Sequence, residues 1–221
     1  MANSPRNSRL PAADRSAPKT REEVLRDFRT DQILAAAREV IGSIGYQDAS
    51  IDRIAEAAGV ARSTVYVYFE GKEDLLNQCL AENRMALSER VRDSVEAADG
   101  LVARLEAFLE AILDYVGEYQ GFFRAIMRLR GLDPFFQADD RPAPEVDIIR
   151  VEVQAILSDL LKDAQIAGDL SSDATVEVAR VLGALIYGSL MWRAHEPDPP
   201  PAKDEARNLA RTVLYGIGRS A

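Results

Sequence analysis

GVARSTVYVYFEGKEDL, residues 59–75, holds at its centre a hexamer, TVYVYF (64–69), that alternates β-branched and aromatic side chains. Read alone it is a strand, with Val65, Val67 and Phe69 on one face and Tyr66 and Tyr68 on the other. Its surroundings argue otherwise. Ser50 can cap a helix whose buried face is Ile51, Ile54, Ala55 and Ala58, and Gly59 ends it. Only Val60 and Ala61 separate that helix from Arg62, no other strand candidate exists in the chain, and an isolated strand is not stable. As a helix, 62–69 stacks Val65 and Phe69 at i, i+4 toward a core. Arg62, Ser63, Tyr66 and Val67 then lie opposite, with Tyr68 at the border. Two short helices joined by a tight glycine-containing turn form a helix-turn-helix, whose second helix suits a DNA major groove.

Upstream, Thr20 and Glu23 have capping-box spacing and precede Val24, Leu25 and Phe28. Ile33, Leu34, Ala37, Val40, Ile41 and Ile44 make one apolar stripe that Gly45 closes. A second helix start at Thr30 is equally compatible, so 20–44 reads as one helix or two. Residues 1–19, rich in Pro, Ser, Asn and Arg, read as a disordered basic arm, a solvated tail or a strap along DNA. Residues 1–26 carry six basic against three acidic side chains, a net of +3 in a chain of net charge −9. From Asp27 to Asp74 the balance is five basic against nine acidic, a net of −4. A DNA surface here must therefore be a local patch, helped by backbone N–H groups and the arm.

The run from Thr30 to Leu76 resembles the DNA-binding domain of the TetR family of bacterial transcriptional regulators. The resemblance rests on Ile33-Leu34-x-Ala36-Ala37, Gly45-Tyr46, Ile54-Ala55-x-Ala57-Ala58-Gly59-Val60, Tyr66-x-Tyr68-Phe69 and Lys72-Glu73-x-Leu75, about a fifth of the chain. Departures are Ala61 where Ser is frequent, Ser63 for a frequent Gly, Val65 for a frequent Leu, and Gly71. The resemblance implies an all-α protein: a three-helix DNA-binding domain (20–72) followed by a larger helical domain (73–221) that binds an effector and forms a homodimer. It places the DNA contacts at Ser50, Arg62, Ser63, Thr64, Tyr66, Val67, Tyr68 and Lys72. Arg62 reads a base or a phosphate, the tyrosine hydroxyls and Lys72 meet phosphates, and the operator is palindromic double-stranded DNA.

Beyond residue 73, helical patterns run over 73–95, 101–117, 119–131, 145–166, 173–194 and 203–217. Aromatic residues gather in 108–136, including Phe135 and Phe136. Such a cluster is core or an effector pocket. The pocket candidates are Phe108, Tyr115, Tyr119, Phe122, Phe123, Met127 and Tyr187, for a largely apolar or aromatic ligand whose carboxylate Arg124 or Arg128 would meet. Residues 176–192 are apolar nearly all round, with Ala179, Gly183, Ala184 and Gly188 as small residues at helical spacing. With Leu209, Val213 and the rest of the stripe Ala206, Ala210, Leu214 and Ile217, they read as a four-helix dimer interface. The Pro-rich link HEPDPPP (195–201) separates the two helices.

Composition narrows the rest. At 47% hydrophobic residues the chain builds a full core. Cys79 is its single cysteine, so no intrachain disulfide forms, which fits a reducing compartment. The N-terminus has no apolar signal core and no apolar run spans a bilayer, so the expected location is the cytoplasm. No metal-ligand cluster, phosphate loop or nucleophile motif is present, so neither enzyme activity nor a cofactor is expected. The sequence reads as a ligand-responsive regulator, a repressor by family habit. The rival is a small-molecule-sequestering protein whose DNA surface has decayed, which Ala61 and the acidic balance of 27–74 permit.

Overall fold

The structure, a computed structural model, describes residues 20–129 and 145–216, leaving aside the side chains of 145–152 and 172–174. The arm 1–19, Phe135, Phe136 and Ile217 lie outside the described residues. Within them the chain is all-helical: α1 Arg21–Ile44, α2 Ile51–Ala57, α3 Arg62–Tyr68, α4 Lys72–Glu96, α5 Leu101–Glu118, α6 Gln120–Leu129, α7 Glu145–Ala167, α8 Ser172–His195 and α9 Ala202–Tyr215.

α1 is one helix of 24 residues. Thr20 and Glu23 form the capping box, with the Glu23 N–H donating to Thr20 Oγ1 at 3.2 Å and the Thr20 N–H to Glu23 Oε2 at 2.7 Å. Gly45 takes φ +84° and ends the helix. Arg21 to Arg29 are all exposed, so Val24, Leu25 and Phe28 stand in solvent rather than in a core. Burial begins at Ile33.

Two cores result. The first joins Ile33, Leu34, Ala37 and Ile41 of α1 to Ile54 and Ala55 of α2, Val65 and Phe69 at α3, Leu75, Leu76 and Cys79 of α4, and Phe122, Ala125 and Ile126 of α6. The second is centred on α5, where Leu105, Phe108, Leu109 and Ile112 pack against Leu87, Val91 and Val95 of α4, Leu157, Leu160 and Leu161 of α7, Leu182 of α8, and Ala202, Ala206 and Ala210 of α9. α4, which begins at Lys72, serves both cores.

The first core settles the conformation of 64–69. Val65 has no exposed surface and Phe69 only 2%. Burying them contributes about 1.5–3 kcal/mol each. That outweighs the roughly 0.5 kcal/mol per residue that β-branched and aromatic residues lose in a helix. Phe69 itself is the extended C-cap, so the helix stops one residue short of the expected 62–69.

α1 and α6 touch through their backbones. A Cβ built on Gly42 would lie 2.8 Å from the Phe122 nitrogen, and one on Gly121 would lie 2.9 Å from the Gly42 carbonyl oxygen. No other residue type fits that crossing without parting the helices. The Pro-rich link is held from within. Arg193, 5% exposed, donates to Glu205 at 2.6 Å and to the Pro200 carbonyl at 2.9 Å, while Gln120 donates to the Arg193 and Glu196 carbonyls at 2.6 and 3.0 Å. His195 Nδ1 lies 2.9 Å from the Met191 carbonyl, the helix-end contact its position implies. Among the described residues no helix is long and apolar enough to cross a membrane.

Candidate DNA-binding surface

The surface is built from the turn outward. Ser50 caps α2, its hydroxyl accepting from the Arg53 N–H at 3.3 Å. Gly59 takes φ +64°, a left-handed turn position that suits glycine. Gln32 of α1 donates to the Ala58 carbonyl at 2.7 Å and pins the turn to the domain. Ala61 starts α3 with no side-chain cap, and Gly71 starts α4 without one. Asp74 compensates at α4 by accepting from the Glu70 N–H at 2.9 Å.

With Val65 buried, the outward face of α3 is fixed. Arg62, Ser63, Tyr66 and Val67 are all exposed, Val67 at 73%. Thr64 is intermediate. Tyr68 is half-buried and packs on the first core, leaning toward a groove between the start of α1 and the end of α3 that Leu25, Arg26 and Val67 also line. Arg62 is not loose. Its Nη1 donates to both Asp52 oxygens at 3.0 and 2.9 Å, and its Nη2 lies 3.5 Å from the Tyr66 hydroxyl, with the guanidinium 5.7 Å from that ring. The Tyr66 hydrogen bond, then the Asp52 carboxylate, hold this exposed guanidinium above its usual pKa.

The resemblance sets Lys72 against a DNA phosphate, and within the chain its ammonium already has partners. Lys72 is half-buried, and its ammonium donates to the Gln47 and Ala49 carbonyls at 3.2 and 2.8 Å and sits 4.3 Å from the centre of the Tyr46 ring. The α1–α2 loop offers free carbonyls to the start of α4, and a lysine satisfies them. Burial, with Glu73 beside it, raises the Tyr46 phenol. Sequence reasoning missed Asp52, Gly42 and Gly121 as well, because their significance lies in partners 10 and roughly 80 positions away.

The expected effector residues do not form one group. Phe108 and Tyr115 are buried in the second core with Tyr119 packed against it, the two tyrosine rings 4.9 Å apart. Phe122 belongs to the first core. Met127 is buried in neither, Phe123 and Arg124 are intermediate, and Arg128 and Tyr187 are exposed. Tyr115 donates to Asn83 at 3.0 Å, and burial raises its phenol well above the usual value. Beside it Arg38 of α1 donates to Glu82 of α4 at 2.8 Å and lies 5.9 Å from the Tyr119 ring, a polar seam between the two cores.

Of the expected dimer residues, Gly183, Ala184 and Gly188 are exposed and Ala179 is intermediate. Val176, Tyr187 and Trp192 extend this face at 70%, 50% and 46% exposure. A Cβ added at Gly183 or Gly188 would meet nothing within 4 Å. Leu209 and Val213 are half-buried against the second core of their own chain, so α9 spends part of its stripe internally.

A helix-turn-helix with one polar-aromatic face, mounted on a larger helical body, defines a DNA-binding regulator. Comparison with known proteins agrees. The model of the bacterial regulatory proteins of the tetR family matches residues 33–79, the stretch that carries the helix-turn-helix. The fatty acid metabolism regulator protein of Bacillus subtilis (strain 168) is 40% identical over 65 residues, 29% of this chain and only 34% of that protein's length. The HTH-type transcriptional regulator UidR of Escherichia coli (strain K12) is 25% identical over 195 residues, 86% of this chain and 88% of that one. The structure of the transcriptional regulator FadR from Bacillus subtilis in complex with stearoyl-CoA superposes with a TM-score of 0.69 over 85% of this chain and 98% of that one, at 19% identity, a likeness of fold.

Proposed function

We propose that the chain is a dimeric repressor that binds a palindromic operator and leaves it when a largely apolar effector binds. In this reading residues 20–72 are the DNA-binding domain and 73–221 the effector-binding and dimerisation domain. The observation that carries it is the outward face of α3: Arg62, Ser63, Tyr66 and Val67 exposed together, anchored from behind by Val65 and Phe69. Arg62 suits a guanine edge, Val67 a thymine methyl, and the hydroxyls of Ser50, Ser63, Thr64, Tyr66 and Tyr68 suit phosphates. The exposed apolar face of α8, open over its glycines, supports a second copy of the chain as its partner. Two recognition helices then meet successive major grooves about 34–36 Å apart, and the effector works by changing that separation. A long acyl thioester is the effector chemistry we favour, since the FadR neighbour carries stearoyl-CoA and the larger domain is rich in buried apolar side chains.

The test is selection of duplexes by the full-length protein from a random-sequence library, followed by binding titrations with and without stearoyl-CoA. A palindromic consensus whose binding weakens with the acyl thioester is expected. Arg62→Ala should cost about 1–3 kcal/mol on the consensus and relax selectivity at one base step. Recovery of no preferred sequence would sink the reading.

A further inference from the structure

We propose that Asp52, on the helix before the recognition helix, is a positioning residue that sets the aim of Arg62 and thereby the base selectivity of the DNA-binding surface. The inference rests on the reading of Arg62 as a base reader. Arginine has a long stem and many rotamers, and this one is 59% exposed, so burial does not fix it. Asp52 does. Both of its carboxylate oxygens meet a single nitrogen, Nη1, at 3.0 and 2.9 Å, from a neighbouring helix ten positions earlier in sequence. Tyr66 flanks the other terminal nitrogen at 3.5 Å from its own helix. The guanidinium is thus splinted between α2 and α3 in the absence of DNA. The Asp52 contacts occupy Nη1, and Tyr66 meets Nη2 only at 3.5 Å, so the Nε–Nη2 edge can still offer its two parallel donors to the O6/N7 pair of a guanine. Asp52 is itself 61% exposed on the same side, so its charge stands near the phosphates and opposes binding to any sequence.

These two effects have opposite signs, and that separates positioning from simple electrostatics. Binding is measured for the full-length protein on its library-selected duplex, on single-base variants of it and on a salt series. Asp52→Ala should bind every duplex more tightly at low salt, because a negative charge is gone. It should also discriminate less at the base step that Arg62 reads, by up to about fivefold, the scale of an exposed ion pair. Asp52→Asn keeps an acceptor for Nη1 without the charge, so it should bind more tightly and retain most of the discrimination. In an Arg62→Ala background, Asp52→Ala should shift all affinities alike with no further loss of selectivity. Thermal unfolding of each variant checks that the domain is intact. Unchanged discrimination in Asp52→Ala overturns the proposal, as does improved discrimination, which would make Asp52 a competitor for Arg62. So does a selectivity loss that persists without Arg62. If Arg62→Ala alone leaves selectivity untouched, the reading of Arg62 fails first and this inference with it.

Discussion

Lys72 and Cys79 show how a residue's role depends on what it meets. The ammonium of Lys72 is taken up by two backbone carbonyls and a ring, so Lys72→Ala should act on stability. Charge-assisted hydrogen bonds are worth about 1.5–3 kcal/mol, less when half-exposed. We expect a loss of about 1–2 kcal/mol and a midpoint lowered by roughly 2–8 °C, with the salt slope of DNA binding unchanged. A slope that falls by about one contact, with the midpoint unmoved, would restore the phosphate role. Cys79 is fully buried in the first core, its thiol donating to the Leu34 carbonyl at 3.6 Å. Burial pushes its pKa up to about 12, so at pH 8 it is a neutral thiol and a poor nucleophile. Iodoacetamide should leave the folded protein unmodified for hours and label it rapidly in denaturant; prompt labelling under native conditions would contradict this placement.

At the scale of the element, α3 and α6 were unequally legible. The period of α3 was decided by its surroundings: the helix capped by Ser50 and ended by Gly59 stands just before it, no other strand candidate was there to pair, and burial of Val65 and Phe69 did the rest. Tyr68 and the unbroken α1 follow from side-chain neighbours that sequence does not order. Thr30 fits a helix start as well as a helix interior; in the structure the capping box at Thr20 starts a single helix that runs through Thr30 to Ile44. The aromatic residues of α6 fit core or pocket equally in the sequence; in the structure it carries Phe122, Ala125 and Ile126 into the core of the DNA-binding half and crosses α1 backbone to backbone at Gly42 and Gly121. Gly121→Ala must push the helices apart. Overpacking of this kind costs about 1–3 kcal/mol, and the effect should appear both in unfolding and as altered operator affinity, because α6 meets the helix that holds the recognition unit. A variant with parental stability and affinity would mean the crossing is loose.

At the scale of the whole molecule, the open question is the partner of α8. Gly183 and Gly188 face open space in the single chain, so Gly183→Leu should leave the protomer folded. Leucine also exceeds glycine in helix propensity by roughly 0.8 kcal/mol. What it should remove is close approach by another helix, giving a monomer in sedimentation that binds the operator at least tenfold more weakly, since both half-sites no longer act together. A stable dimer in this variant would place the interface elsewhere. The sequence by itself determined the helical class, the helix-turn-helix at 50–69, its resemblance to the TetR DNA-binding domain, and the outward set Arg62, Ser63, Tyr66 and Val67. Those depend on local periodicity and on caps and turns, whose partners lie within a few residues. Tertiary structure alone decided that Lys72 meets the Gln47 and Ala49 carbonyls, that Asp52 grips Arg62, that Phe122 serves the first core and Phe108 the second, and that Gly42 and Gly121 meet. Each of those joins residues from different helices. A one-dimensional pattern fixes which face of a helix is apolar, but the packing of side-chain volumes in three dimensions fixes which other face it finds.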